Sequence, residues 1–320
     1  MIQVDHRRLG ASPVTVPALG IGIWSWGDRR FWGYGHSYTQ ADIVQAFETC
    51  MDDGLNFFDT AEMYGQGESE RLLGQCIREY GRGRRVIIAT KFAPMPTRFS
   101  ARTLLDALDA SLERLGVQTI DLYQIHWPYT FLSIDALMDM LAIAVRSGKV
   151  RAVGVSNYNV KQMQRAAARL ARHDIPLASN QVHYSLLHRK PEQNGVLAAC
   201  KQMNVALIAY SPLEQGLLTG KFRVNNPNAM PITGARRFQA TFRTSNRKKM
   251  EPLLQTMQDI AGERGKTMSQ VALNWLLCKG DFVIPIPGAK NGRQASENAG
   301  ALGWQLTSEE MQKLDRMSLF

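Results

Sequence analysis

The chain has 320 residues, 45% of them hydrophobic, and a net charge of +10; it can bury a large core, and an α/β barrel of this size often runs as one domain. It has no apolar run of the roughly 18 residues that a membrane span needs, and MIQVDHRRLG at its start has no apolar signal core, so the expectation is a cytoplasmic protein with neither span nor leader. Cys50, Cys76, Cys200 and Cys278 lie far apart without a C-x-x-C pair and the six histidines form no ligand spacing, so neither a disulfide frame nor a metal site is expected.

In chain order, HRRLGASPVTVP reads as a short hairpin. LGIGIW (19–24) then precedes a helical ADIVQAFETCMDDG, NFFDT precedes ESERLLGQCIREYG, RVIIATK (85–91) precedes ARTLLDALDASLERLG, and IDLYQIH (120–126) precedes IDALMDMLAIAVRSG. VRAVGVS (150–156) precedes NVKQMQRAAARLAR, LASNQV (177–182) precedes PEQNGVLAACKQMN, VALIAYS (205–211) precedes a long loop and helices near 249–264 and 269–278, and DFVIPIP (281–287) precedes RQASENAGAL. The strands are nearly continuous apolar runs, as a parallel sheet covered on both faces requires. Gly54, Gly81, Gly116, Gly148 and Asn204 follow helical stretches as left-handed caps. Eight strand-helix units predict a single (β/α)8 TIM barrel over 1–320, with the hairpin on its floor and extra helices.

Chemistry in such barrels gathers at the carboxyl ends of the strands. There, FFDTAEMYG places Asp59, Glu62 and Tyr64 beyond the second strand, the third ends in Lys91, and the fourth ends in His126 before Trp127. Each alone has an ordinary explanation: a turn cap, a snorkelling lysine, a satisfied core histidine, a packing aromatic. Together, on three adjacent strands, they describe a proton relay. Lys91 favours the Tyr64 phenolate and brings its pKa toward the working range, Asp59 keeps Lys91 charged, and a neutral His126 holds a carbonyl oxygen beside the Tyr64 hydroxyl. A proton donor at a carbonyl needs a source of electrons, and a nicotinamide is the natural complement.

The basic charge is concentrated: between Glu214 and Glu251 there is no acid and eight cations, including Lys221 and Arg236. Lacking the repeated aromatic interleaving that single-strand binders use for base stacking, this segment suits a local anionic ligand better than a nucleic acid.

FFDTAEMYG, ATKF, QIHWP, VGVSNY, NQVHYSLL, AYSPL and IPGAK, in this order, resemble the aldo-keto reductase superfamily over nearly the whole chain. The resemblance implies a barrel that binds extended NADPH/NADP+ without a Rossmann domain; GIGIW accordingly is not a G-x-G-x-x-G. It implies Asp59, Tyr64, Lys91 and His126 as the catalytic set. Ser156, Asn157 and Gln181 would hold the nicotinamide carboxamide, with Tyr210 stacked on the ring. The loop from Ser211 would fold over the pyrophosphate through Leu213, Gly216, Leu218 and Lys221, and Gly288, Lys290 and Gln294 would meet the 2'-phosphate, with Arg293 and Arg236 adding charge. Glu297 and Asn298 would meet the adenine. The chain has Gly-Ala where many members have Lys-Ser, and Gln294 where many have Arg.

Trp26, Trp32, Tyr34 and Trp127 are the expected substrate walls, fit for a planar or apolar carbonyl compound. WSWGDRRFWGYG and CKGDFVIPIPGAK resemble the branch that contains plant plastid pyridoxal reductase and its bacterial relatives. The expected activity is NADPH-dependent reduction of an aldehyde or ketone, pyridoxal or another small or aromatic aldehyde, with a small-molecule partner, no nucleic acid and no membrane. A slow-turnover NADP(H) sensor or regulatory subunit is the alternative, and a Schiff-base aldolase using Lys91 is a third. Oligomeric state is left open.

Overall fold

The computed structural model describes all residues except 1–3, 82, 84, 225, 227, 228 and 319–320. Strands β1 (His6–Arg8) and β2 (Thr15–Pro17) pair antiparallel as the hairpin. Eight parallel strands follow: β3 (Ile21–Gly22), β4 (Phe57–Asp59), β5 (Ile87–Phe92), β6 (Ile120–Ile125), β7 (Val150–Ser156), β8 (Leu177–His183), β9 (Ala206–Tyr210) and β10 (Val283–Ile286). They pair in chain order, and Gly22 bridges Gly288 while its N–H donates to the Pro287 carbonyl at 3.0 Å. The ring therefore closes as the expected (β/α)8 barrel.

Helices α1 (Gln40–Asp52), α2 (Glu68–Tyr80), α3 (Thr103–Leu115), α4 (Ile134–Arg146) and α5 (Val160–Ala171) cover the first strands. α6 (Lys190–Gln193) and α7 (Val196–Gln202) divide a stretch that reads as one helix, because the chain turns left-handed at Gly195 (φ 80°). α8 (Thr244–Arg264), α9 (Met268–Leu277) and α10 (Gly292–Ala299) follow. The five residues expected as left-handed caps all have positive φ. α11 (Ser308–Met317), which no strand-helix alternation announces, starts in a capping box of Thr307 and Glu310, and the Glu310 carboxylate accepts two bonds from Arg264 at 2.8 and 2.9 Å. Among the described residues no helix is long and apolar enough to cross a membrane.

Period-two alternation, broken once by a register shift between β7 and β8 that lets both Ala178 and Ser179 face inward, explains the barrel interior. Phe57, Ile87, Ala89, Leu122, Ala152, Ala178, Ala206, Ile208 and Ile284 form an inner cluster, and Leu9, Val14 and Val16 of the hairpin join it and close the floor. One step further along the same faces, Phe57 gives way to Asp59, Ala89 to Lys91, Leu122 to Gln124 and Ser179 to Gln181. These four are buried to within 2% of full burial, so a polar layer caps the apolar one. Its members must satisfy one another, since burying such groups unpaired costs several kcal/mol.

Gly154 leaves room for that layer. A methyl group there would collide with Ser179 Oγ and stand 3.1 Å from the Ser179 carbonyl oxygen and 3.2 Å from Gln124 Cγ. Gly154→Ala is expected to lower stability by about 1–3 kcal/mol, as overpacking does. Urea unfolding checks this; an unchanged midpoint would show that the layer can move apart.

Candidate active site

The polar layer converges on Asp59. Its Oδ1 accepts from Lys91 Nζ at 2.6 Å, and its Oδ2 accepts from Gln181 Nε2 at 2.8 Å and Gln124 Nε2 at 3.3 Å. Lys91, fully buried, also donates to the Thr60 carbonyl at 2.8 Å and to the Tyr64 hydroxyl oxygen at 3.4 Å. The Tyr64 proton is thus left to point elsewhere. Its ring stands edge-on to His126, with centroids 5.7 Å apart. The four side chains taken from three strands meet in one group.

Electrostatics sets their protonation. Burial lowers the Lys91 pKa, but the charge of Asp59, the Tyr64 oxygen and the hydrogen bonds outweigh it, and the net direction is upward: Lys91 is an ammonium. Burial is also the largest influence on Tyr64 and raises its pKa above the ordinary phenol value; Lys91 opposes this without overcoming it. The expected drop toward the working range is therefore corrected. Tyr64 carries its proton at neutral pH, as a donor must. Burial and then the Lys91 charge pull His126 down to about 3, so the imidazole is neutral, and its buried Nδ1 has no protein partner.

Glu62, the other acid beyond β4, is held apart from the relay. It accepts the Ala93 N–H at 2.5 Å and a bidentate pair from Arg98 at 2.6 and 2.9 Å, while that guanidinium lies 4.6 Å from the Phe92 ring centre. This clamp ties the loop bearing Tyr64 to the end of β5, which bears Lys91.

Asp59, Tyr64 and His126 face a cavity of about 680 Å³, with Trp24, Trp32 and Trp127 among its walls. Trp24 stacks on Phe31 (5.1 Å) and lies 6.2 Å from the Tyr64 ring. Trp26 is corrected: it is fully buried, tilts against Phe58 at 6.1 Å and donates Nε1–H to the Ala289 carbonyl at 2.8 Å. Tyr34 is also outside the wall, edge-on to Tyr38 at 5.8 Å. Trp24 and Gln124 escaped the sequence reading, although both were accessible to it: Trp24 ends the predicted first strand, and Gln124 shares the inward face with Leu122.

The cavity continues past Ser156, Asn157, Gln181, Tyr210, Ser211, Leu213 and Gly216 to Lys221, Arg236, Gly288, Lys290, Arg293, Gln294, Glu297 and Asn298. Asn157 is left-handed (φ 62°) and donates to Ser156 Oγ at 3.0 Å, while its Oδ1 accepts from the Tyr210 hydroxyl at 3.1 Å. Asn tolerates this backbone better than other non-glycine residues, and the two bonds hold it there. Leu218 and the Gly216 N–H are corrected: Leu218 is fully buried and its N–H donates to the Leu213 carbonyl at 3.3 Å, and the Gly216 N–H donates to that same carbonyl at 2.9 Å. The side-chain Oε1 of Gln294 accepts the Lys290 backbone N–H at 2.9 Å.

Four cations, Lys221, Arg236, Lys290 and Arg293, crowd this end. Arg236 and Lys290 lie 5.0 and 4.6 Å from the Trp32 ring centre, and Lys221 lies 5.1 Å from that of Phe222. Burial first, then the neighbouring cations, lower both lysines, Lys290 to about 8. Arg236 Nε, Trp32 Nε1 and Gln215 Oε1 are buried without partners. The two unsatisfied N–H donors, Arg236 Nε and Trp32 Nε1, beside mutually repelling cations fit the phosphates of the expected dinucleotide. Two other cations of the basic segment serve differently: Arg223 pairs with Glu251, and Arg247 donates to the Phe222 carbonyl at 2.8 Å.

A family model described as the aldo/keto reductase family matches residues 18–318. Pyridoxal reductase, chloroplastic, of Arabidopsis thaliana is 41% identical over 97% of this chain and 85% of its own. The NADP(+) aldo-keto reductase yakc of Schizosaccharomyces pombe is 33% identical over 98% of this chain and 91% of its own. Among solved structures, an aldo/keto reductase from Klebsiella pneumoniae in complex with NADP and acetate superposes with a TM-score of 0.76 at 30% identity, over 98% of this chain and 95% of that one.

Proposed function

The chain belongs to the aldo/keto reductase family, and from that premise we propose that it reduces an aldehyde or ketone to the alcohol, with NADPH as hydride source and Tyr64 as proton donor. It is an NADP-dependent oxidoreductase, as its family and NADP-named relatives are. The proposal rests on one observation: the Asp59, Lys91, Tyr64 and His126 group faces the same cavity as Lys221, Arg236 and Lys290.

When bound, NADPH supplies hydride to the carbonyl carbon. Tyr64 gives its phenolic proton to the carbonyl oxygen, and the Lys91 ammonium stabilises the oxygen left on Tyr64. Neutral His126 orients the carbonyl beside that hydroxyl. Trp24, Trp32 and Trp127 suit a flat or apolar substrate, and the likeness to a relative named pyridoxal reductase makes pyridoxal the first aldehyde to test. A charged Lys91 has no free electron pair with which to form a Schiff base, which argues against an aldolase. The chain of contacts from Asp59 through Lys91 to Tyr64, with the His126 ring beside Tyr64, favours turnover over a slow sensor.

On this reading residues 1–320 form one barrel domain, since Gly22 and Gly288 close the ring from opposite ends of the chain. The partner is a small carbonyl compound and not a nucleic acid. A reducing compartment, as in the cytoplasm, suits the four unpaired cysteines.

NADPH absorbance followed against pyridoxal, methylglyoxal, aromatic aldehydes and sugar aldehydes tests the activity; no oxidation with any of them would sink it. The phosphate assignment has its own test. Replacing Lys221 and Arg236 together with Ala is expected to weaken NADPH more than NADH, because each lost charged hydrogen bond is worth about 1.5–3 kcal/mol and only NADPH has the 2'-phosphate. Fluorescence titration with both cofactors should show their affinity ratio narrowing. Equal losses would remove the 2'-phosphate from this account.

A further inference from the structure

Behind the cavity wall, the loop after β9 is fastened by a cluster that the proposed chemistry does not use. Glu214 Oε1 contacts His183 Nε2 at 2.6 Å and accepts from Ser185 Oγ at 2.6 Å. The His183 ring stacks on Tyr210 on one side, at 5.2 Å and 16°, and on His188 on the other, at 3.9 Å and 8°. His183 ends β8, Tyr210 ends β9 and Glu214 lies in the loop, so one imidazole touches two elements of the cavity from outside.

The loop needs such a fastening. Glu214, Gln215 and Gly216 are successively left-handed, with φ of 48°, 52° and 100°, and Ser211 has φ 52°. Only one of these four is glycine, and other residues keep this backbone when side-chain contacts hold it. From this turn the chain runs on to Lys221, whose Cε would lie 2.6 Å from a methyl group at Gly216. The strained turn and the phosphate-end lysine are therefore in contact. A shift of Glu214 would move both.

We propose that His183 and Ser185 are positioning residues for cofactor retention: through Glu214 they hold the 211–221 loop in place, and through its ring His183 backs Tyr210, so that together they set how slowly the dinucleotide leaves. This rests on the reading of the cavity as an NADP(H) site. The ligand-facing surface is untouched by either side chain. Their influence should accordingly appear in retention and not in the chemical step.

Stopped-flow measurement of NADPH release from the full-length protein tests this, with His183→Ala, Glu214→Ala and His183→Gln. Both alanine variants are expected to release NADPH about tenfold faster, equivalent to about 1.4 kcal/mol, and to raise KM for NADPH with little change in KM for the aldehyde. The double variant should be no worse than either single one, because the two act through one contact. His183→Gln, whose amide can still donate to Glu214, should recover most of the retention. A lowered melting temperature with wild-type release in both alanine variants would reduce the cluster to packing and overturn the proposal. Should His183→Ala fail to fold, Glu214→Ala alone decides, since its wild-type release rate would also overturn it. Wild-type protein that does not bind NADPH would defeat the functional reading and this inference together; binding with unaltered release in the variants would defeat the inference only.

Discussion

Tyr64→Phe is expected to lower kcat for aldehyde reduction by about 10²–10⁴, the usual contribution of a positioned proton donor. The substitution removes one oxygen and keeps the ring, so the edge-on contact with His126 persists. Lys91 loses only its longest bond, 3.4 Å, and retains Asp59 at 2.6 Å and the Thr60 carbonyl at 2.8 Å. Stability should therefore change by about 1 kcal/mol or less. The cations proposed to hold the phosphates lie beyond β9 and β10, so NADPH affinity should stay near wild type. Steady-state kinetics beside a cofactor titration checks both statements. Near-normal turnover would give the proton to another group, and lost NADPH affinity would place Tyr64 in the cofactor site.

The grouping of Asp59, Lys91, Tyr64 and His126 was legible in the sequence because a barrel strand has a direction. Once FFDT, ATK and QIH are strands, their carboxyl ends lie on one rim, and Asp59, Lys91 and His126 become neighbours without any side-chain coordinate. Gln124 and Gln181 show what alternation adds: each lies two residues beyond an interior small or apolar residue, Leu122 and Ser179, and faces inward onto Asp59. Trp26 shows where alternation stops. β3 ends at Gly22, and a turn closes with the Trp26 N–H on the Ile23 carbonyl at 2.9 Å, which swings the indole toward Phe58 and leaves Trp24 in the wall. Two positions within one turn cannot be told apart by period-two logic.

Loop geometry was hidden for a similar reason. SPLEQGLLTGK reads as a loop rich in apolar residues, but which of its N–H groups face a ligand depends on a left-handed turn at Glu214 and Gln215 that composition does not favour. Leu218 follows that turn inward. The Tyr64 pKa was misread because charge proximity can be seen in a motif while the degree of burial cannot, and burial is the larger influence.

Lys91→Met should cost both activity and stability, and by separable routes. Removing the ammonium leaves the Asp59 carboxylate, 2% exposed, with two neutral amide donors and no countercharge. Breaking a buried ion pair from one side typically costs about 3–5 kcal/mol. Lys91 is also the one influence that draws the Tyr64 pKa down substantially, so without it the phenol becomes a weaker acid and kcat should fall by about 10² or more. The pH dependence of stability has a definite sign. The folded Lys91 pKa lies above its ordinary 10.5, so its stabilisation is fully present below 10.5 and is lost as pH rises through the higher folded value. The variant should lack that alkaline loss. Asp59→Asn added to Lys91→Met separates the routes: it removes the unpaired charge while keeping an oxygen to accept from Gln181, and should restore much of the stability but none of the activity. Thermal denaturation and single-turnover reduction of the three proteins decide. Recovery of activity in the double variant would show that Lys91 serves only to neutralise Asp59, and unchanged kcat in Lys91→Met would remove lysine from the relay.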